Sequence, residues 1–179
     1  QLRKRVVVNV VDNVVPTISI LASNGSSTVS DGSTIKDNTL YFTFTVSETT
    51  ATFAIEDISV SGGTLSNFSG SGTSYTVTFI PSSDGAFALD VDAGVFTDAA
   101  GNNNVQSSEF NWNLDSTGPI TSITANGAIN SILDGSASND TKVTLTFTIN
   151  ETTTDFTAED ITISGGTLSG FSGSGTQYI

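Results

Sequence analysis

Alternation of apolar and polar residues dominates this chain. Leu40, Phe42, Phe44 and Val46 fall on one side of a period of two, with Tyr41, Thr43 and Thr45 on the other. Val143, Leu145, Phe147 and Ile149 alternate in the same way with Thr144, Thr146 and Thr148. A period of two marks a strand with one buried face. Similar runs at 16–22, 54–60, 64–69, 74–80, 86–92 and 107–114 are separated by Asp31-Gly32, Gly62-Gly63, Gly70-Ser71-Gly72, Asp84-Gly85 and Gly101-Asn102, all turn signals. The pattern predicts an all-β antiparallel sandwich with Leu40, Phe42, Phe44, Val77, Phe79, Leu89, Phe110 and Trp112 in its core. Phe53 and Phe68 are expected to join that core.

The pattern also repeats. EDISVSGGTLSNFSGSGTSY at 56–75 returns as EDITISGGTLSGFSGSGTQY at 159–178, an offset of 103 residues. The offset holds without a gap from Pro16/Pro119 to Tyr75/Tyr178, and half of the paired positions are identical. A period near 100 fits a string of whole domains rather than the short units of a solenoid. Residues 6–15 fall on 109–118, with Asp12 over Asp115. The expected organisation is therefore the last strand and linker of a preceding repeat at 1–15, a complete repeat at 16–118, and the N-terminal part of a following repeat at 119–179. Seven short strands in about 100 residues make each repeat an immunoglobulin-like sandwich. It would lack the Cys pair of antibody domains, and Trp112 would sit on the seventh strand.

Composition narrows the chemistry. The net charge is −13, and there is no His, Cys or Met. Ser-His-Asp and Cys-His catalysis, thiol redox chemistry and zinc sites of imidazole or thiolate are thereby excluded. Only Lys36 and Lys142 are basic beyond residue 5, so nucleic acid is not an expected partner. Glu56 and Asp57 are adjacent on a predicted strand, face opposite ways and cannot share a substrate. Asp90 and Asp92 share a face but have no aromatic platform, so no enzyme is expected. The Gly-rich SGSGT run at 69–73 lacks the strand-loop-helix setting and Lys of a phosphate cradle. The apolar stretch after Arg3-Lys4-Arg5 is short, is broken by Asn9, and reads as a strand rather than a signal sequence. No run approaches the ~20 apolar residues of a membrane-spanning helix, so direct membrane insertion is not expected. Asn24, Asn67, Asn139 and Asn150 begin Asn-x-Ser/Thr sequons, no more than chance gives in a chain so rich in Ser and Thr.

The carboxylates are the remaining candidates. If the strands simply alternate in direction, the connections at 47–53, 69–73 and 93–105 return to the pole where the chain enters the repeat. Glu48, Asp57 at the start of the third strand, Asp98 and Asn102 then converge with Asp12. A second junction would use Asp115, Glu151 and Asp160, while Glu56 and Glu159 stand aside. Oxygen ligands without imidazole or thiolate favour Ca²⁺, which accepts irregular coordination that includes carbonyls and water.

FTFTVSE at 42–48, DISVSGGTLSNFSGSGTSYTVTFIP at 57–81 and AGVFTDAAGN at 93–102 resemble the bacterial immunoglobulin-like repeats of large surface adhesins and biofilm-associated proteins. The resemblance covers nearly the whole chain. One departure is Glu48-Thr49-Thr50-Ala51, where many relatives have Pro after the Glu. The resemblance implies a bacterial extracellular, multi-copy stalk module, with calcium rigidifying its junctions; Asp12, Glu48, Asp57 and Asp98 match positions that are acidic there. Expected partners are neighbouring repeats, and then other copies of the protein or surface glycans. The alternative is an adhesive module that itself binds carbohydrate or a neighbouring subunit, which a concave, aromatic-rich exposed face would favour.

Overall fold

The computed structural model describes residues 11–179. The strand expected over residues 6–15 lies largely outside the described residues, and 11–15 are not in a strand. The chain divides after Thr117 into two compact units, the second being Gly118–Ile179.

Two four-stranded sheets build the first unit. One has the order β2 (Thr28–Val29), β1 (Ile18–Ser23), β4 (Leu40–Thr50), β6 (Gly63–Pro81). The other has the order β3 (Ser33–Ile35), β8 (Phe110–Leu114), β7 (Gly85–Val91), β5 (Ile58–Val60). Ile20, Phe44 and Tyr75 are in register across β1, β4 and β6, as are Ala22, Phe42 and Val77. Because strand side chains alternate, this register puts Ile18, Ile20 and Ala22 of β1, Phe42, Phe44 and Val46 of β4, and Tyr75 and Val77 of β6 on one face, with Thr43, Thr45 and Thr76 on the other.

β6 contains both strands expected at 64–69 and 74–80. Its two arms lie side by side, since a Cβ on Gly63 would collide with the Phe79 ring and one on Gly70 with the Ser74 carbonyl. Gly70 has φ 138°, a backbone state that L residues other than glycine rarely adopt, which explains a glycine at this close approach.

Two expectations are corrected. β3 runs parallel to β8, with Ser33 opposite Trp112 and Ile35 opposite Leu114, so the sandwich is not wholly antiparallel. After the β1–β2 hairpin, the Asp31-Gly32 turn carries the chain from one sheet to the other. There the Gly32 N–H donates to Asn111 O at 2.7 Å, and the Asp31 carboxylate accepts the Asn111 N–H at 2.6 Å. The run at 54–60 is likewise not one strand, because Ile55–Asp57 form a single 3₁₀ turn before β5.

The sheets close over one aromatic core. All eight expected core residues are buried, and so are Phe53, Tyr75, Phe87 and Phe96. Trp112 stacks on Phe87 at 5.2 Å between ring centroids, and Phe42 meets both Phe110 and Trp112. Phe53 is a second hub, touching Phe44, Phe68, Tyr75 and Phe96. Such ring pairs contribute about 0.5–1.5 kcal/mol each beyond the area they bury.

In the second unit a single sheet has the order β10 (Ser131–Ile132), β9 (Thr121–Asn126), β11 (Thr144–Thr153), β12 (Gly173–Tyr178). It reproduces local devices of the first. Phe156 touches Phe147, Phe171 and Tyr178, as Phe53 touches Phe44, Phe68 and Tyr75. The Tyr178 hydroxyl donates to Thr153 O at 3.2 Å, as Tyr75 does to Thr50 O at 2.9 Å. Phe147, Ile149 and Tyr178 are its buried apolar residues. Residues 161–163, whose counterparts form β5 by pairing with β7, are outside any strand.

Candidate metal centre

β4 loses regular register with β6 between Thr45 and Thr50, and Glu48 lies in that irregular stretch. Thr50, at the end of β4, bridges to Asp98, and its hydroxyl donates to Thr97 O at 2.6 Å. Thr52 Oγ1 accepts the Thr97 N–H at 2.9 Å. These bonds seat the 97–103 loop beside the end of β4. The segment that precedes β1 is tied in by Asn102 Nδ2, which donates to Asp12 O at 3.1 Å.

Carboxylate oxygens of Asp12, Glu48 and Asp98 thereby come within 4.8 Å of one another. Asp98 is only 7% exposed. Its Oδ1 accepts the N–H groups of Ala100 at 2.9 Å and Asn102 at 2.8 Å, and its Oδ2 accepts Asn102 Nδ2 at 2.8 Å. The Asn102 amide hydrogen bond, with help from the backbone N–H groups of the turn, holds the Asp98 carboxyl below its usual range against the opposing effect of desolvation. Glu48 is the opposite case. Desolvation, and then the negative charges of Asp12 and Asp98, push its carboxyl up. Its Oε1 is buried and accepts no hydrogen bond.

The donor set fits a hard divalent cation. Three carboxylates are oxygen ligands of the kind Ca²⁺ takes, and the unsatisfied Glu48 Oε1 is an acceptor that a cation would satisfy. Asn102, expected as a neutral ligand, instead joins the group through its amide nitrogen, as a donor that fastens Asp98 to the Asp12 main chain.

Asp57 does not join them. Its Oδ2 accepts the Ala54 N–H at 2.8 Å and caps the 3₁₀ turn, and Asp160 Oδ2 accepts the Thr157 N–H at 2.8 Å in the second unit. The i to i+3 spacing, present in both copies, was the available signal for a cap. Of the residues expected at the second junction, Asp115 follows β8 in the first unit, while Glu151, half-buried on β11, and Asp160 belong to the second. Glu56 and Glu159 are exposed.

Sequence reasoning also missed Asn104, which is 3% exposed. Its Oδ1 accepts the N–H groups of Val95 at 2.9 Å and Phe96 at 3.1 Å, and its Nδ2 donates to Asp92 O at 2.7 Å and Val105 O at 3.0 Å. It holds the loop that delivers Phe96 to the core and Asp98 to the acidic cluster.

An immunoglobulin-like β-sandwich with an acidic group beside its leading segment, followed by a single sheet that repeats its local devices, is thus the class that the architecture defines. The family profile described as bacterial Ig-like domain matches residues 12–114 and again 115–179, and the chain belongs to that family. Bacterial Ig-like domains commonly occur in surface proteins and are typically non-enzymatic, which makes this a surface or structural module. No curated protein and no solved structure matches the chain. Among the described residues no helix is long and apolar enough to cross a membrane.

Removing the Glu48 charge gives a sharp expected outcome. In EDTA at neutral pH, Glu48→Gln raises the melting temperature, because a desolvated carboxylate facing Asp12 and Asp98 is replaced by a neutral amide. The sign follows from linkage. With its folded pKa raised above 4.5, Glu48 retains its proton in the folded state at pH values where the unfolded chain has lost it, so its contribution declines as pH rises through the raised value. Asp98, with its folded pKa lowered from 3.8, contributes stability above that value and loses it as pH falls. A lower melting temperature for Glu48→Gln in EDTA would contradict this account.

Proposed function

We propose that this chain is a run of non-enzymatic spacer modules from a bacterial repetitive extracellular surface or filament protein, rigidified by Ca²⁺ where the chain enters a repeat. The observation that carries the reading is the Glu48 oxygen, buried without a partner and facing two further carboxylates. Asp12, Glu48 and Asp98 would hold the ion, with Asn102 holding Asp98 and the Asp12 main chain in place. The ion would supply the missing counter-charge and tie the leading segment to β4 and the 97–103 loop. Neighbouring repeats of the same chain are the primary partners, followed by other copies of the protein or surface glycans. Spacing rather than sugar binding is supported by the exposed faces: among the described residues Tyr41 is the one exposed aromatic, at 46%, within rows of Ser and Thr.

Extracellular modules bind Ca²⁺ with Kd on the order of 10⁻⁴–10⁻³ M, so occupancy would follow millimolar levels outside a cell. At free Ca²⁺ about 100 times Kd, linkage adds about 2.7 kcal/mol. Thermal melting and calorimetry of the 179-residue chain in Ca²⁺ and in EDTA test this. The melting temperature of the first unit is expected to rise by about 10 °C or more in Ca²⁺, and the increment is expected to disappear in Asp12→Ala and Asp98→Ala. Equal melting temperatures in Ca²⁺ and EDTA would show that these carboxylates hold no calcium ion.

A further inference from the structure

Asp84 lies in the turn between β6 and β7, in the first unit. Each oxygen of its carboxylate takes one hydroxyl: Ser116 Oγ donates to Oδ1 at 2.6 Å and Thr117 Oγ1 donates to Oδ2 at 2.7 Å. These hydroxyl bonds, with help from the backbone N–H groups of the same two residues, hold the Asp84 carboxyl below its usual range. Ser116 and Thr117 are the last residues of the first unit, just beyond β8. The residue before them is also tied down, since the Asp115 N–H donates to Ile35 O at 2.9 Å.

We infer that Asp84 is a clamp that fixes the exit segment 115–117 on the body of the first unit, so that the stiffness of the chain leaving this repeat is set by its own β6–β7 turn. Residues 115–117 are in no strand, and a short exposed segment without strand pairing would otherwise fray. Hydrogen bonds to an ionised carboxylate are about twice as strong as neutral ones, and two on one side chain fix direction as well as position. The internal repeat supplies a comparison. Asn13 and Val14 occupy the places of Ser116 and Thr117, Val14 has no hydroxyl, and its N–H donates to Asp12 Oδ1 at 3.1 Å. Of the two linker segments compared, only 116–117 carries the pair of hydroxyls that Asp84 binds.

The clamp does not depend on Ca²⁺, because Asp84 is outside the group of Asp12, Glu48 and Asp98. Nitrogen-15 relaxation and amide exchange on the 179-residue chain test it, comparing the natural protein with Asp84→Ala, with the Ser116→Ala/Thr117→Val pair, and with Thr117→Ser. In the first two variants the order parameters of Ser116 and Thr117 are expected to fall from about 0.85 to below about 0.6. Their amides should exchange about tenfold faster, while those of β7 and β8 stay unchanged. Thr117→Ser, which retains the hydroxyl, is expected to behave as the natural protein. The same differences are expected in Ca²⁺ and in EDTA, which separates this result from the fate of the calcium reading. Unchanged order parameters in both disruptive variants would overturn the inference, as would loosening that spreads through β7 and β8 or differences that vanish in Ca²⁺.

Discussion

Phe44→Ala lowers the stability of the first unit by about 3–5 kcal/mol, the range for truncating a fully buried phenylalanine. Phe44 is 0% exposed, at the centre of β4 with Ile20 and Tyr75 in register on either side. Its ring meets Phe53 edge-on at 5.5 Å, and Phe53 in turn touches Phe68, Tyr75 and Phe96. The loss therefore includes the transfer energy of the ring, the cavity left between two sheets that cannot collapse freely, and the ring pair itself. Denaturant titration followed by Trp112 fluorescence reads this directly, since Trp112 lies in the same core. Phe44→Leu, which fills most of the space, should recover much of the stability. A loss below about 1 kcal/mol for Phe44→Ala would mean that the core is not packed as described.

Asn104→Ala is expected to destabilise the same unit by about 2–4 kcal/mol, although it removes no apolar surface, because burying a polar group without a partner costs about 1–3 kcal/mol each. Four groups depend on this side chain: the N–H groups of Val95 and Phe96, and the carbonyls of Asp92 and Val105. Water entering the vacated space can replace some of these bonds, so the penalties do not sum. Asn104→Asp separates the hydrogen bonds from simple packing. The carboxylate still accepts from Val95 and Phe96 but repels the two carbonyls, so this variant should be most destabilised where the carboxyl is ionised and partly rescued at acid pH. Since the loop also carries Asp98, both substitutions are expected to weaken any Ca²⁺ increment in the melting temperature. Melting curves with the stability of the natural protein would show that the loop is held by other contacts.

Much of the architecture is legible in the amino-acid sequence alone, and the reason lies in the strand period. Thr43, Thr45, Phe42 and Phe44 declare by position alone which face is wet and which is buried, so the core of the first unit and the 103-residue repetition follow from the sequence. So does the candidacy of Asp12, Glu48 and Asp98, through the absence of His and Cys and the order of the loops. A period of two does not say which strands become neighbours, nor in which direction they run. The parallel pairing of β3 with β8 was decided by the Asp31-Gly32 turn crossing between sheets and by the bond of Asp31 to Asn111, 80 residues away. Asp57 and Asp98 are both acids in connections, but the 3₁₀ turn takes the first as its cap, while Thr50 and Thr52 place the second opposite Glu48. Asn104 and Asp84 carry no mark in the sequence that sets them apart from the other polar residues in turns. Their importance comes from buried or charged groups that only the closed fold brings within hydrogen-bonding distance, and that is a property of tertiary structure.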